Sequence, residues 1–271
     1  MKKGTAVSGD TKLAYSVEGD GKQTVLLVIG LGGRAADWGT TFPGALAEKY
    51  RVVRYDHRGV GASPPAPGGY TLSDLARDAT VVLDAVSAET AHVVGISMGG
   101  MISQLVALEH PTRVDKLVLL STDFGGNTLE PMHPDAMRLF APEEMVARGG
   151  DPEAMMRFTM SVITAPGFVE RSPDVERAML SNVRAEPTSP NAFMAQLQAI
   201  LGSDRSELVR GIRRPTLVIH GAEDKLIRPS NGRSLAERIP GAEFVLLERC
   251  GHMPMWEKPA ELTRAVRAFL G

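Results

Sequence analysis

A chain of 271 residues, 43% hydrophobic and 23% charged, is long and apolar enough to bury a sizeable core as one domain with an insertion. Its 30 Lys+Arg against 32 Asp+Glu leave a formal charge of −2, which offers no electrostatic footprint for nucleic acid or for a membrane surface. A single cysteine, Cys250, excludes an intramolecular disulfide, and no apolar stretch is long enough to span a bilayer. Met1-Lys2-Lys3 is not followed by an apolar run, so no signal peptide is visible and a cytoplasmic protein is expected.

Residues 4 to 18 carry Val7, then Leu13, Tyr15 and Val17 alternating with polar positions, and Gly9-Asp10 lies between them. That pattern predicts an antiparallel hairpin. Val25-Leu26-Leu27-Val28-Ile29 is apolar throughout, as a strand covered on both faces should be, and Val52-Val53 leading to Tyr55-Asp56 predicts a second. Thr71-x-x-Asp74 comes close to a capping box for a helix reaching Val86, along which Leu72, Leu75, Ala79, Val82 and Leu83 recur at helical spacing. Further strands are expected at His92 to Ser97, Leu117 to Leu120, Thr216 to Ile219 and Phe244 to Leu247, with a closing helix from about Pro259 to Leu270. Apolar strands alternating with amphipathic helices predict an α/β fold, a mostly parallel sheet with helices on both faces.

The alternation lapses between about Asn127 and Arg210. Asp151-Pro152, Ser172-Pro173 and Ser189-Pro190 each put a capping side chain ahead of a proline at the first helical position. Apolar spacing then predicts helices through Met155, Phe158 and Val162, through Val175, Met179 and Val183, and through Phe193, Leu197 and Ile200. The expected organisation is a core in two parts, residues 1–126 and 211–271, with a helical cap of residues 127–210 over the carboxyl edge of the sheet, where such sheets place their ligands. Eight of the 13 methionines fall in the cap, and some of these adaptable side chains are expected to line an apolar pocket.

Chemistry points to His92-Val93-Val94-Gly95-Ile96-Ser97-Met98-Gly99-Gly100, an apolar run that breaks into Gly-x-Ser-x-Gly and then into helix-compatible residues. A strand, a tight turn and a helix hold one hydroxyl clear at the apex, with the free N–H groups of the helix start beside it. A serine nucleophile requires an imidazole base, and that base requires a carboxylate to fix its tautomer. His252, in the loop between the last strand and the closing helix, and Asp224, in His220-Gly221-Ala222-Glu223-Asp224, are the partners expected at the same edge. Asp123 and Glu223 are alternative carboxylates. His220 is read as a strand-end residue, His57 as a tie for its own loop, His92, His110 and His133 as surface or packing residues, and Cys250 as small and buried. The oxyanion of the transition state would be held by backbone N–H groups of Met98 and of the Gly30-Leu31-Gly32-Gly33 loop, with Leu31 the expected second donor.

These motifs, together with Tyr55-Asp56-His57-Arg58-Gly59-Val60-Gly61-Ala62-Ser63, resemble the α/β-hydrolase fold family across nearly the whole chain, and most of all its small esterases and enol-lactone hydrolases with a helical cap. One departure stands out: many members have histidine where this chain has Ile29, so the support of the oxyanion loop must differ. The resemblance implies a serine hydrolase of carboxylic esters or lactones with Ser97, Asp224 and His252 as triad, acting on a small molecule without cofactor or metal. Carbon–carbon bond hydrolysis, cyanohydrin cleavage and perhydrolysis use related triads, and a binding module on the same fold is a further alternative. Epoxide hydrolases and haloalkane dehalogenases of this fold carry aspartate where Ser97 stands. A dinucleotide-binding reading of Gly30-x-Gly32-x-x-Ala35 with Asp56 leaves Ser97, Asp224 and His252 without a purpose.

Overall fold

Eight strands form one sheet in the computed structural model of the chain, which describes residues 1–66, 68–185 and 188–271. They are β1 (Lys2–Ser8), β2 (Thr11–Glu18), β3 (Thr24–Val28), β4 (Arg51–Tyr55), β5 (Ala91–Ile96), β6 (Val114–Leu120), β7 (Thr216–Gly221) and β8 (Glu243–Leu247). The order across the sheet is β1-β2-β4-β3-β5-β6-β7-β8. β1 and β2 form the expected antiparallel hairpin and β2 also runs antiparallel to β4, while every pair from β4 to β8 is parallel.

Alternate residues along a strand feed opposite cores, because side chains on a pleated strand point to alternate faces. Leu26 and Val28 of β3, Val93 of β5 and Leu117 and Leu119 of β6 pack on one side. Val25 and Leu27, Val94 and Ile96, and Val118 and Leu120 pack on the other. Helices cover both sides. α1 (Thr41–Ala47) lies on the second face, α2 (Leu72–Ala85) and α3 (Met98–Glu109) on the first. Thr71 caps α2: its hydroxyl accepts from Asp74 N–H at 3.2 Å and the Asp74 carboxylate accepts from Thr71 N–H at 2.9 Å.

Between β6 and β7 the chain is helical: α4 (Pro134–Met137), α5 (Pro142–Ala147), α6 (Pro152–Ile163), α7 (Phe168–Arg171), α8 (Pro173–Ala185) and α9 (Pro190–Leu201). The Asp151 carboxylate accepts from Glu153 N–H at the start of α6, and the Ser189 hydroxyl from Ala192 N–H at the start of α9. The buried stripe of α9 differs from expectation. Ala192, Gln196 and Ala199 are buried, whereas Phe193, Leu197 and Ile200 are half-buried beside them. A polar side chain therefore sits at the centre of that helix's inner face. The chain closes with α10 (Pro229–Arg238), α11 (Pro254–Glu257) and α12 (Pro259–Leu270). α10 was not anticipated, since its buried residues, Asn231, Gly232, Leu235 and Ala236, make a weakly apolar pattern. No helix among the described residues is long and apolar enough to cross a membrane.

β5 and α3 meet at closest approach. A β-carbon on Gly95 would collide with the Gly99 carbonyl and the Ser103 hydroxyl, and one on Gly99 with the Val28 and Ile29 carbonyls. Both obstacles are largely backbone, which cannot rotate away. Gly99→Ala is expected to destabilise the fold by about 1–3 kcal/mol through overpacking, read as a lowered midpoint in denaturant unfolding at unchanged slope.

Candidate active site

Ser97 follows the last residue of β5 and has φ 56° and ψ −124°, a left-handed conformation that a residue with a β-carbon rarely adopts. The turn is held from below. Ser97 N–H donates to Leu120 O at 2.9 Å, and the Thr122 hydroxyl donates to Ser97 O at 2.7 Å. Residues 91–96 and 98–100 are buried while Ser97 is half-exposed, so the strained turn presents one hydroxyl out of an apolar bed. The loop after β3 runs alongside: a β-carbon on Gly30 would lie 3.1 Å from Ser97 Cβ and 3.6 Å from Ser97 Oγ. Among the described residues neither Leu31 N–H nor Met98 N–H, at the start of α3, donates to another protein group. Two free backbone donors therefore flank the serine.

The carboxyl ends of β5 to β8 form a continuous rim, with Ser121 N–H on Ile219 O at 2.9 Å and Glu223 N–H on Cys250 O at 2.8 Å. Asp224 and His252 meet on it. His252 Nδ1 lies 2.7 Å from Asp224 Oδ2, and both side chains are buried. The other oxygen, Oδ1, accepts from Leu226 N–H at 2.9 Å and Ile227 N–H at 3.0 Å. Burial alone would raise the Asp224 carboxyl, but the His252 charge and the hydrogen bonds of His220 and His252 outweigh it and hold it at about 2. A carboxylate can only accept, so His252 Nδ1 donates in this pair and Nε2 faces away from Asp224.

His220, read from sequence as a strand-end residue, does more. Its Nε2 lies 2.8 Å from Ile227 O and 3.2 Å from Asp224 Oδ2. Both are acceptors, so Nε2 carries the proton and supports the same carboxylate oxygen that His252 contacts. Gly232 makes room, since a β-carbon there would collide with His220 Nδ1. Asp123 is placed differently. Its Oδ1 accepts from Gly125 N–H at 2.9 Å, and burial raises its carboxyl against the pull of that bond and of Arg205.

His57 corrects an expectation. Its Nε2 lies 3.0 Å from Ile29 O, so it ties the loop after β3 rather than its own, and burial lowers its pKa. That is how the loop is supported where Ile29 replaces histidine. Asp56 is consumed by loop amides, accepting from Ala35 N–H at 2.7 Å and Ala62 N–H at 3.0 Å, which leaves it no role as a ribose ligand. Burial pushes the Cys250 thiol up, away from thiolate character.

Two further features escape the sequence reading. Glu257 collects three amides, from Ala165 (2.7 Å), Gly251 (2.8 Å) and Met253 (3.0 Å), and so binds both neighbours of His252 to the segment after α6. Gln196 of α9 accepts from Gly32 N–H at 2.7 Å, and the Thr188 hydroxyl donates to Gly32 O at 2.7 Å. A glutamine within an apolar helix was the available hint for the second.

A serine held on a strained strand-to-helix turn and a carboxylate-bound imidazole share the carboxyl rim of a mostly parallel sheet, an arrangement found in hydrolases. The alpha/beta hydrolase fold model matches residues 23–259, and the chain belongs to that family and is a hydrolase. It is 32% identical over 251 residues to "Putative carbamate hydrolase RutD" of Caulobacter sp. (strain K31), covering 92% of this chain and 91% of that protein. It is 30% identical over 269 residues to the 2-hydroxy-6-oxononadienedioate/2-hydroxy-6-oxononatrienedioate hydrolase of Paraburkholderia xenovorans (strain LB400), covering 97% and 91%. The enol-lactonase from Burkholderia xenovorans LB400 superposes with a TM-score of 0.83 at 26% identity, over 98% of this chain and 99% of that one.

The depressed Asp224 carboxyl has a measurable consequence. A carboxyl whose folded value lies below its unfolded value of about 3.9 stabilises the fold above that pH and loses the contribution as pH falls towards the folded value. With Asp224 at about 2, the stability gap between wild type and Asp224→Asn is expected to be constant above about pH 5 and to shrink from there towards pH 2. Denaturant midpoints collected across that range check it.

Proposed function

We propose that the protein hydrolyses a carboxylic ester or lactone through an acyl-enzyme, with Ser97, His252 and Asp224 as its triad. One observation carries the reading: His252 is locked by Asp224 at 2.7 Å on the rim that presents the strained Ser97 hydroxyl. His252 Nε2 takes the Ser97 proton as Oγ adds to the substrate carbonyl. The oxyanion forms between Leu31 N–H and Met98 N–H, positions supported by the close approach of the Gly30 loop to Ser97. Collapse expels the alkoxide, which leaves with the proton from Nε2. In a lactone that alkoxide stays tethered to the acyl group. Water then adds to the acyl-enzyme by the same relay and releases the acid.

Residues 127–210 are read as the cap. Met156, Met160, Phe168, Met179, Met253 and Trp256 line an apolar cavity of about 20 Å³ between the cap and the His252 loop. That is room for about one water. Unbranched methionines leave scope for it to reshape around an acyl or alkyl group. The oxononadienedioate hydrolase relative favours a second reading, carbon–carbon bond hydrolysis on the same triad.

A panel of p-nitrophenyl esters, lactones and vinylogous diketones, run with a fluorophosphonate label, tests both readings. Ser97→Ala is expected to lose turnover and label while keeping the wild-type melting temperature. Asp224→Asn should lower kcat by about 10⁴, the scale of the equivalent change in serine proteases. Turnover retained by Ser97→Ala, or an Asp123→Asn variant more impaired than Asp224→Asn, would overturn the assignment. Faster turnover of diketones than of any ester or lactone would move the protein to the second reading.

A further inference from the structure

The oxyanion loop of this chain is short of support of its own. Gly30, Gly32 and Gly33 leave three of its four residues without side chains, and its internal bond is the turn from Gly33 N–H to Gly30 O at 3.1 Å. Glycine-rich backbone has the most conformational freedom to lose on ordering. His57 fixes the start of the loop through Ile29 O, and Asp37 fixes its end by accepting from Arg34 N–H at 2.9 Å. Between these ends both polar groups of Gly32 are taken by side chains 164 and 156 residues away.

We propose that Gln196 and Thr188 are positioning residues that make the cap part of the oxyanion hole. The inference rests on the serine-hydrolase reading above. Gln196 Oε1 holds the N–H of the Leu31–Gly32 peptide, and the Thr188 hydroxyl holds the carbonyl of the Gly32–Gly33 peptide, each at 2.7 Å. Two successive peptide planes are thereby fixed, and the plane just before them carries the Leu31 N–H. Gly32 has φ +66°, and a β-carbon on it would lie 3.0 Å from the Phe193 ring, so α9 also closes over the loop sterically. Gln196 is completely buried at the centre of the inner face of α9, a position its neighbours Ala192 and Ala199 would otherwise make wholly apolar. An amide in such a place is destabilising unless hydrogen-bonded. Its acceptor is used on the loop.

The clamp predicts a loss in the chemical step rather than in ground-state binding. In the full-length protein, Gln196→Leu and Thr188→Val are each expected to lower kcat by about 10–100-fold, the range for a displaced catalytic donor. KM for a p-nitrophenyl ester should stay within about twofold. Thr188→Ser, which keeps the hydroxyl, should retain wild-type kcat. Turnover is expressed per site titrated by fluorophosphonate, so a variant that merely folds less well shows fewer sites at full kcat. The rate of phosphonylation, which also builds charge on an oxygen facing the hole, should fall in parallel with kcat. Wild-type kcat per titrated site in both variants, or Thr188→Ser as impaired as Thr188→Val, overturns the clamp while Ser97 labelling leaves the serine reading intact. Turnover that survives Ser97→Ala overturns the serine reading, and the clamp's catalytic role falls with it.

Discussion

A carboxylate with no exposure to solvent is the constraint around which the site is built. Transferring such a charge out of water has an effective penalty of several kcal/mol after relaxation, and it persists only where its lone pairs are met. Asp224 meets the condition with two amides of its own loop on Oδ1 and two imidazoles on Oδ2. Three of the four donors come from residues 220–227, so the β7 exit can orient the carboxylate before His252 reaches it from the β8 exit. That sequence of supports is what preorganisation means in a charged site: the imidazole docks against an anion that no longer has to be turned. Gly232 belongs to the same chain of causes, because it lets α10 pack close enough for the His220 ring to occupy the space beside Asp224.

Local pattern carried the architecture and singled out the side chains proposed to react. Strand runs such as Val25 to Ile29 are apolar on both faces because both faces are covered, and that is a property a short window of sequence displays. Ser97 declared itself because a turn this tight admits only glycine at positions 95 and 99. The closing helix was legible to its ends, whereas α10 was not, since half of its buried face is Asn231 and Gly232. What stayed hidden were the supports. His57, His220, Glu257 and Gln196 act through backbone groups brought near by the fold, from as far as 164 residues away. A hydrogen bond to a distant peptide leaves no periodicity to read. Ile29 did show that the loop after β3 departs from a common pattern, but not that His57 from the neighbouring β4 exit and two distant side chains, Gln196 and Thr188, hydrogen-bond to it.

The proposed cap is bound to the rest of the chain at the two loops on which the proposed chemistry depends. On one side Gln196 and Thr188 hold Gly32, and Asn182 of α8 donates to the Asp37 carboxylate at 2.9 Å. On the other, His252 N–H donates to Ile163 O at 2.7 Å, and Glu257 joins Ala165 N–H to the amides on either side of His252. Lifting the whole cap would break these bonds together, at about 0.5–1.5 kcal/mol net each and more where a buried partner is left unsatisfied. It would also release the loops that carry Gly32 and His252. Parting the methionines that line the cavity beside Met253 breaks none of them, because thioether side chains change rotamer without surrendering a hydrogen bond. Side-chain motion of these methionines is therefore the adjustment that leaves both loops in place.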